Sequence, residues 1–372
     1  MKSSTAPAAA PVLSLLVGFA AVSAFAQTPA PQAASPYTLT VFATAPPNLS
    51  APDSIAVVDD HVFVGYGDGH APDGSDHKNS QVVQFSMDGA VEHIYTVPGH
   101  SDGLKLDPIT HRLWALQNED ASPNVAIIDT ETQQQKIYQF ASTPHGGGYD
   151  DIVFRGCKIY ISASNPARNP NTGPAIVRAK LHDGVVQVEP LLMGNAAAVD
   201  VLTGTNITLN LQDPDSMTLD PLGNIVLDSQ ADQELIYVTH PGEPNQQALR
   251  LPLSFLSGKT AMPVETDDTA FVTSSKGFIL FADKGLNTVF KLTRTGFVPG
   301  SAYTAADGGP FVGTLDLTSG VVTPVVTGIM SPGGLVYIDT SRQDADGRND
   351  GDRDHSDQDA DRCDRDDRDD RT

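Results

Sequence analysis

Five times between residues 53 and 270 an Asp-bearing segment runs straight into an apolar strand. The segments are Pro52-Asp53-Ser54-Ile55, Ser101-Asp102-Gly103-Leu104, Tyr149-Asp150-Asp151-Ile152, Pro214-Asp215-Ser216-Met217 and Asp267-Asp268-Thr269-Ala270. A sixth opening, Ser331-Pro332-Gly333-Gly334-Leu335, has the same form without the Asp. Measured between residues 53, 102, 150, 215, 267 and 333, the intervals are 49, 48, 65, 52 and 66 residues. A fixed period of this length means that one structural unit is copied along the chain.

The content of the unit identifies it. Each opening is followed by a tight turn and a second apolar run: His61–Val64, Arg112–Leu116, Lys158–Ile161, Asn224–Leu227 and Gly277–Phe281. A polar loop leads to a third run such as Gln81–Phe85 or Asn124–Ile128, and turns such as Asp88-Gly89, Asp183-Gly184 and Ser319-Gly320 lead to a fourth. With 32 Gly and 27 Pro as punctuation, long helical periodicity is absent. Four short strands per period of about 50 residues predict an all-β fold, a β-propeller of about six four-stranded blades, five remaining an alternative. The long intervals place insertions near 194–212 and around Gly296–Gly300, and the latter leaves blades five and six hard to separate. The run Tyr37–Phe42, ahead of the first opening, is expected to complete the last blade and so remove exposed edges.

The ends are different in kind. Lys2, the apolar run Val12–Val22 and Ala24-Phe25-Ala26 form a signal peptide cut after Ala26, which predicts a secreted or periplasmic protein without a membrane anchor. Residues 27–36 form a Pro/Ala linker, 37–342 the propeller, and 343–372 a disordered tail with 13 Asp against 6 Arg. The tail does not fit a calcium loop: Arg342 or Arg348 falls on a ligand position in either register. The formal net charge of −23 excludes nucleic acid as a partner. Of two cysteines, Cys157 is expected as a buried free thiol and Cys363 lies in the tail. A monomer is expected.

Antiparallel strand direction puts the openings at one mouth of the central channel, together with the loops between second and third strands. Asp53, Asp102, Asp150, Asp215 and Asp267 or Asp268 are therefore candidate metal ligands, with Asp268 taken for the fifth blade. Facing carboxylates need a cation or protons between them, and a hard cation, Ca²⁺ ahead of Zn²⁺, suits oxygen donors. The competing reading is an Asp that caps its own turn in each blade. Glu119, Asp120, Asn165, Asp228 and Asp283 belong to the same rim, and Asp102, Asp150, Glu119 and Asn165 are candidate ligand-binding groups. His100 and His145, just ahead of two openings, are the candidate general bases. The loop from Gly67 to His77 carries two His and three Asp without diagnostic metal spacing.

Ser101–Pro108 and Asp215–Val226 resemble recurrent segments of SMP-30/gluconolactonase-like and NHL-repeat six-bladed propellers of the TolB-like group. The likeness spans residues 37–340 and lies mainly in blade grammar. It implies a divalent cation held at the channel mouth by a Glu, an Asn and an Asp, and hydrolysis of lactones. Asp215 falls where that Asp is expected. Asp53 stands where the Glu would be, and no Asn-Gly opening occurs. Three functions follow: binding of a small ligand, cation or protein partner at the mouth; a metal-dependent, lactonase-like hydrolase; or an NHL-type interaction scaffold.

Overall fold

In a computed structural model, residues 30–341 are described, and every regular element among them is a β-strand. The expected signal peptide and the Asp/Arg tail lie outside the described residues. No described helix is long and apolar enough to cross a membrane.

Strand pairing gives six four-stranded antiparallel runs. From the inner strand outward, unit one is Pro52–Val58, His61–Tyr66, Asn79–Ser86 and Val91–Pro98. Unit two is Ser101–Leu106, Arg112–Gln117, Asn124–Asp129 and Gln134–Phe140. Unit three is Ile152–Arg155, Lys158–Ser162, Pro174–His182 and Val185–Met193. Unit four is Pro214–Leu219, Ile225–Ser229, Glu234–Thr239 and Gln247–Pro252. Unit five is Thr269–Phe271, Ala302–Ala306, Phe311–Leu315 and Val321–Thr327. Unit six is Pro332–Asp339, Gly277–Asp283, Thr288–Thr293 and Thr38–Thr44.

Period-two alternation makes each unit apolar on both faces, so each must pack against two neighbours. In unit two, Leu113 and Ala115 pack with Phe63 and Tyr95 of unit one. Trp114 and Leu116, one residue out of phase, pack with Ile152 and Ile161 of unit three. Further clusters join units three and four, four and five, and five and six. Another joins unit six back to unit one, through Phe278, Leu280 and Val289 against Val62, Val64 and Phe85. Each inner strand touches the next, and that of unit six touches that of unit one. The arrangement is that of a β-propeller.

Three expectations are corrected. Gly277–Phe281 pairs with the inner strand of unit six, Gly277 opposite Asp339 and Phe281 opposite Leu335, and not with that of unit five. The inner strand of unit five ends at Phe271 and pairs instead with Ala302–Ala306. The last two units are therefore interlocked, and the long interval is a strand exchange. The stretch taken as a linker contributes a short strand, Gln32–Ala33, on the outer strand of unit five, while Thr38–Thr44 covers unit six. Cys157 is exposed in the turn between Arg155 and Lys158, and it is not a free thiol; Cys363 lies outside the described residues. The insertion near 194–212 is a hairpin, Ala197–Asp200 with Asn206–Thr208, laid parallel to the outer strand of unit four. Arg250 fastens it, with Nη1 2.9 Å from Asp200 Oδ2 and Nε on Glu234.

Candidate metal centre

The openings are β-bulges. In unit one, Pro52 pairs with Tyr66 and Ile55 with Val64, so Asp53 and Ser54 together oppose one residue. The same two-against-one step occurs at Asp102 and Gly103, Asp215 and Ser216, and Gly333 and Gly334. Unit three does it through hydrogen bonds, Asp150 N–H donating to Ser162 O and Ser162 N–H to Asp151 O. Asp267 and Asp268 straddle Ala305 in the same way. A bulge frees two residues from the ladder and re-aims their side chains. It thus creates two tiers of side chains, one from each bulge residue.

The outer tier holds Asp53, Asp102, Asp150, Asp215 and Asp267, with Gly333 in the sixth position. Lys284 Nζ lies 2.9 Å from Asp53 Oδ2 and 3.2 Å from Asp267 Oδ1. Gly333 makes room for it: a Cβ there would stand 2.6 Å from Asp53 Oδ1 and 2.9 Å from Lys284 Cε. Glu119, on the loop after the second strand of unit two, reaches the same space. Oxygens of Asp102, Glu119 and Asp150 all lie within 4.8 Å of one another. Asp102 Oδ2 is buried without a hydrogen-bond partner.

One lysine among six carboxylates leaves excess negative charge in a buried place, which raises carboxylate pKa values. Burial pushes Asp102 far up, and Glu119, Asp53 and Asp215 add to it. Burial does the same to Asp150, reinforced by Asp102, Asp215 and Glu119, and to Asp215, reinforced by Asp267 and Asp213. Burial lifts Asp267 to about 7 against the pull of Lys284. It pushes Glu119 upward too, but hydrogen bonding with Asp102, the nearness of His100 and Lys284, and hydrogen bonding with Asp150 outweigh it and hold Glu119 low. The Asp102–Glu119 approach therefore needs a bridging proton or a cation. These three oxygen donors, from two units, could hold a metal ion.

The inner tier is chemically different. Asp151 Oδ2 accepts Lys105 Nζ at 3.0 Å and Met217 N–H of unit four at 2.8 Å. Asp268 accepts Leu335 N–H of unit six at 2.8 Å and Thr269 N–H at 2.7 Å. These carboxylates tie one unit to the next. Asp267, not Asp268, is thus the unit-five residue that shares Lys284 with Asp53. Gly103 and Gly334 hold the equivalent positions in units two and six, where the next unit's backbone passes so close that a Cβ would meet Asp150 O at 2.1 Å or Asp53 O at 2.6 Å.

The other candidates scatter. His145 is buried, its Nε2 donating to Gly148 O at 2.6 Å and its ring against Tyr149; burial lowers its pKa. Its Nε2 is engaged in its own loop, while its Nδ1 is buried without a hydrogen-bond partner. His100 sits nearer the triad, on the electrostatic horizon of Glu119, with a buried and unpartnered Nδ1. Asn165 is exposed and Nδ2 donates to Asp120 O at 3.4 Å. Asp228 and Asp283 are fully buried rather than on the rim. Asp228 accepts Thr266 and Thr269 hydroxyls, and Asp283 accepts the backbone N–H groups of Leu286, Met330 and Ser331. In the Gly67–His77 loop, Asp68 accepts Ser50 N–H and His70 Nδ1 is 3.6 Å from Asp76, while His77 is exposed. Sequence reasoning missed Lys284 and Lys105. The one available signal was a lysine directly after Asp283, at the end of a second strand.

No model of a known protein family matches this sequence, and no match is found among curated protein sequences. Solved structures similar to it include virginiamycin B lyase from Staphylococcus aureus, at TM-score 0.45 and 10% identity, covering 78% of this chain and 87% of that one. A putative 6-phosphogluconolactonase from Bacteroides uniformis has TM-score 0.43 and 12% identity, over 79% and 90%. A chain of a nidogen/laminin complex has TM-score 0.46 and 11% identity, over 78% and 85%. Likenesses this distant leave the activity to be judged from the chain's own residues.

Proposed function

We propose that this is an exported, six-bladed propeller, closed by its N-terminal strand, that binds a divalent cation at its acid-lined channel mouth. The count of six is supported by the six four-stranded runs, and closure by the packing of unit six on both unit five and unit one. Export rests on the leader sequence. The observation that carries the binding function is the convergence of Asp102, Glu119 and Asp150 within 4.8 Å beside an unpartnered Asp102 oxygen. Asp215 and Asp53 surround this triad and supply further negative charge. Calcium suits it better than zinc, because every donor is an oxygen and no histidine among the described residues joins the cluster.

A second reading, hydrolysis of a lactone-like ester, is supported by His100, which lies within electrostatic reach of Glu119 and has a buried, unpartnered Nδ1. A bound cation there would supply Lewis acidity toward a carbonyl oxygen. His100 would hold or take up a proton at Nδ1.

The test is metal analysis of the purified mature protein after dialysis against Ca²⁺ or Zn²⁺, together with a panel of sugar and aliphatic lactones. Near-stoichiometric Ca²⁺, lost in Asp102→Asn and Asp150→Asn, supports the binding reading. Turnover that His100→Gln abolishes while Ca²⁺ is retained supports the hydrolase. Absence of any metal in the wild-type protein overturns both and leaves an interaction scaffold.

A further inference from the structure

At their ends away from the acidic cluster, the inner strands line a cavity of about 370 Å³, within the size range of small-molecule sites. It is walled by the far ends of five inner strands, with Val57, Leu106, Leu219, Phe271 and Val336 among its lining residues. Exposed Pro221 and Thr273 place its rim at the surface. The acidic triad is not part of it.

Its charged lining residues are Lys105, Asp220 and Asp268. Asp220 is engaged by its own turn, accepting Leu222 N–H at 2.8 Å and Asn224 N–H at 2.9 Å. Asp268 is engaged by Thr269 and Leu335 N–H. Lys105 is different. An ammonium has three protons, and among the described residues Asp151 is its one ion-pair partner, at 3.0 Å. Its side chain remains 26% exposed. Lys105 is therefore the cavity's one cationic donor, in a lining that also carries the hydroxyls of Thr218, Thr269, Thr273 and Tyr337. Asp151, Asp220 and Asp268 set this end against an anionic guest by like-charge repulsion.

We propose that this cavity binds a small neutral molecule with an apolar body and one carbonyl oxygen, a ketone or ester, whose oxygen accepts a hydrogen bond from Lys105 Nζ. Burial of the body supplies the affinity, and Lys105 fixes the orientation. The site is separate from the mouth, so this proposal stands whether or not the cation reading does.

The experiment is titration of the full-length mature protein with 2-octanone, and with octanoate as the charged control, followed by ligand-observed NMR. Saturable binding of 2-octanone that is at least tenfold tighter than that of octanoate is expected. Thr218→Trp, which fills the cavity from a half-buried wall position, should weaken binding tenfold or more. Lys105→Met should weaken 2-octanone and erase its advantage over an alkane of equal length. Asp102→Asn, at the other mouth, should leave 2-octanone binding unchanged. Lack of saturable binding, or binding indifferent to Thr218→Trp, overturns the proposal. Thr218→Trp leaves Lys105 and Asp151 intact, so it decides the matter even if Lys105→Met fails to fold.

Discussion

The two tiers of carboxylates differ by one residue in sequence and by everything in their surroundings. Asp151 and Asp268 each receive a backbone N–H from the next unit, and Asp151 also holds Lys105. Asp102, Asp150 and Asp215, one residue earlier in the same bulge pattern, face other carboxylates. A bulge aims both of its residues out of the ladder, but at different targets. The inner tier is an inter-blade fastener, even though Asp151 keeps one buried oxygen without a partner. The outer tier, where carboxylates face one another beside a single lysine, is costly to the fold unless protons or a cation come between them.

The largest expected effect separates the tiers directly. Asp151→Ala leaves the Lys105 ammonium and the Met217 N–H without their partner, and removing one member of a buried pair costs about 3–5 kcal/mol. Calorimetry should show a melting temperature lower by roughly 6 °C. Asp102→Asn removes a repelled charge instead. In chelator it should melt at or above the wild-type temperature. Equal destabilisation by both variants would erase the distinction between tiers.

The pH dependence is next in size. Asp267 is lifted to about 7 by burial, and Asp102, Asp150 and Asp215 are lifted strongly in the same direction. A carboxyl whose folded pKa exceeds its unfolded value, near 4, favours the fold fully below pH 4, and the benefit is lost as pH rises through the folded pKa. For Asp267 this amounts to about 4 kcal/mol at most between pH 4 and 7. Cation-free protein should therefore melt lower at pH 8 than at pH 5. Asp268, also lifted to about 7 by burial against the pull of Lys105, adds to the slope with the same sign. Calcium distinguishes the two contributions, because it should suppress the outer-tier part alone. A melting temperature that rises from pH 5 to pH 8 in chelator would contradict this. At 100-fold excess over its dissociation constant, calcium at pH 8 should add about 2.7 kcal/mol, and Asp150→Asn should abolish the gain.

Much of this was legible in the sequence. The spacing of Asp53, Asp102, Asp150 and Asp215 marks units one to four, each folded from contiguous chain. Units five and six were not separable, because apolar alternation in Gly277–Phe281 says that the segment is a strand but not which inner strand it pairs with. Asp267 and Asp268 could not be told apart for a related reason. Which of two adjacent acids faces the channel depends on a bulge, and a bulge leaves no pattern of its own where turn residues are common. Lys284 was invisible because its role depends on Gly333, 49 positions later in the chain, leaving space beside Asp53 and Asp267. Asp228 and Asp283 have the composition of rim residues, yet their partners, from Thr266 to Ser331, are set by tertiary contact.

The smallest effect tests how far the outer tier extends. Asn165 comes from the loop of unit three that corresponds to the loop carrying Glu119, so by position it qualifies as a ligand. It is exposed, and among the described residues its amide donates to Asp120 O, at 3.4 Å. Asn165→Ala should therefore change stability by less than about 0.5 kcal/mol and leave calcium affinity, read by calorimetric titration, within twofold of wild type. Glu119→Gln at the matching loop position should weaken calcium by more than tenfold. A large loss of affinity in Asn165→Ala would mean that the mouth closes on its cation with more of its rim than the triad, and that position in the repeat outweighs burial in deciding which side chains bind.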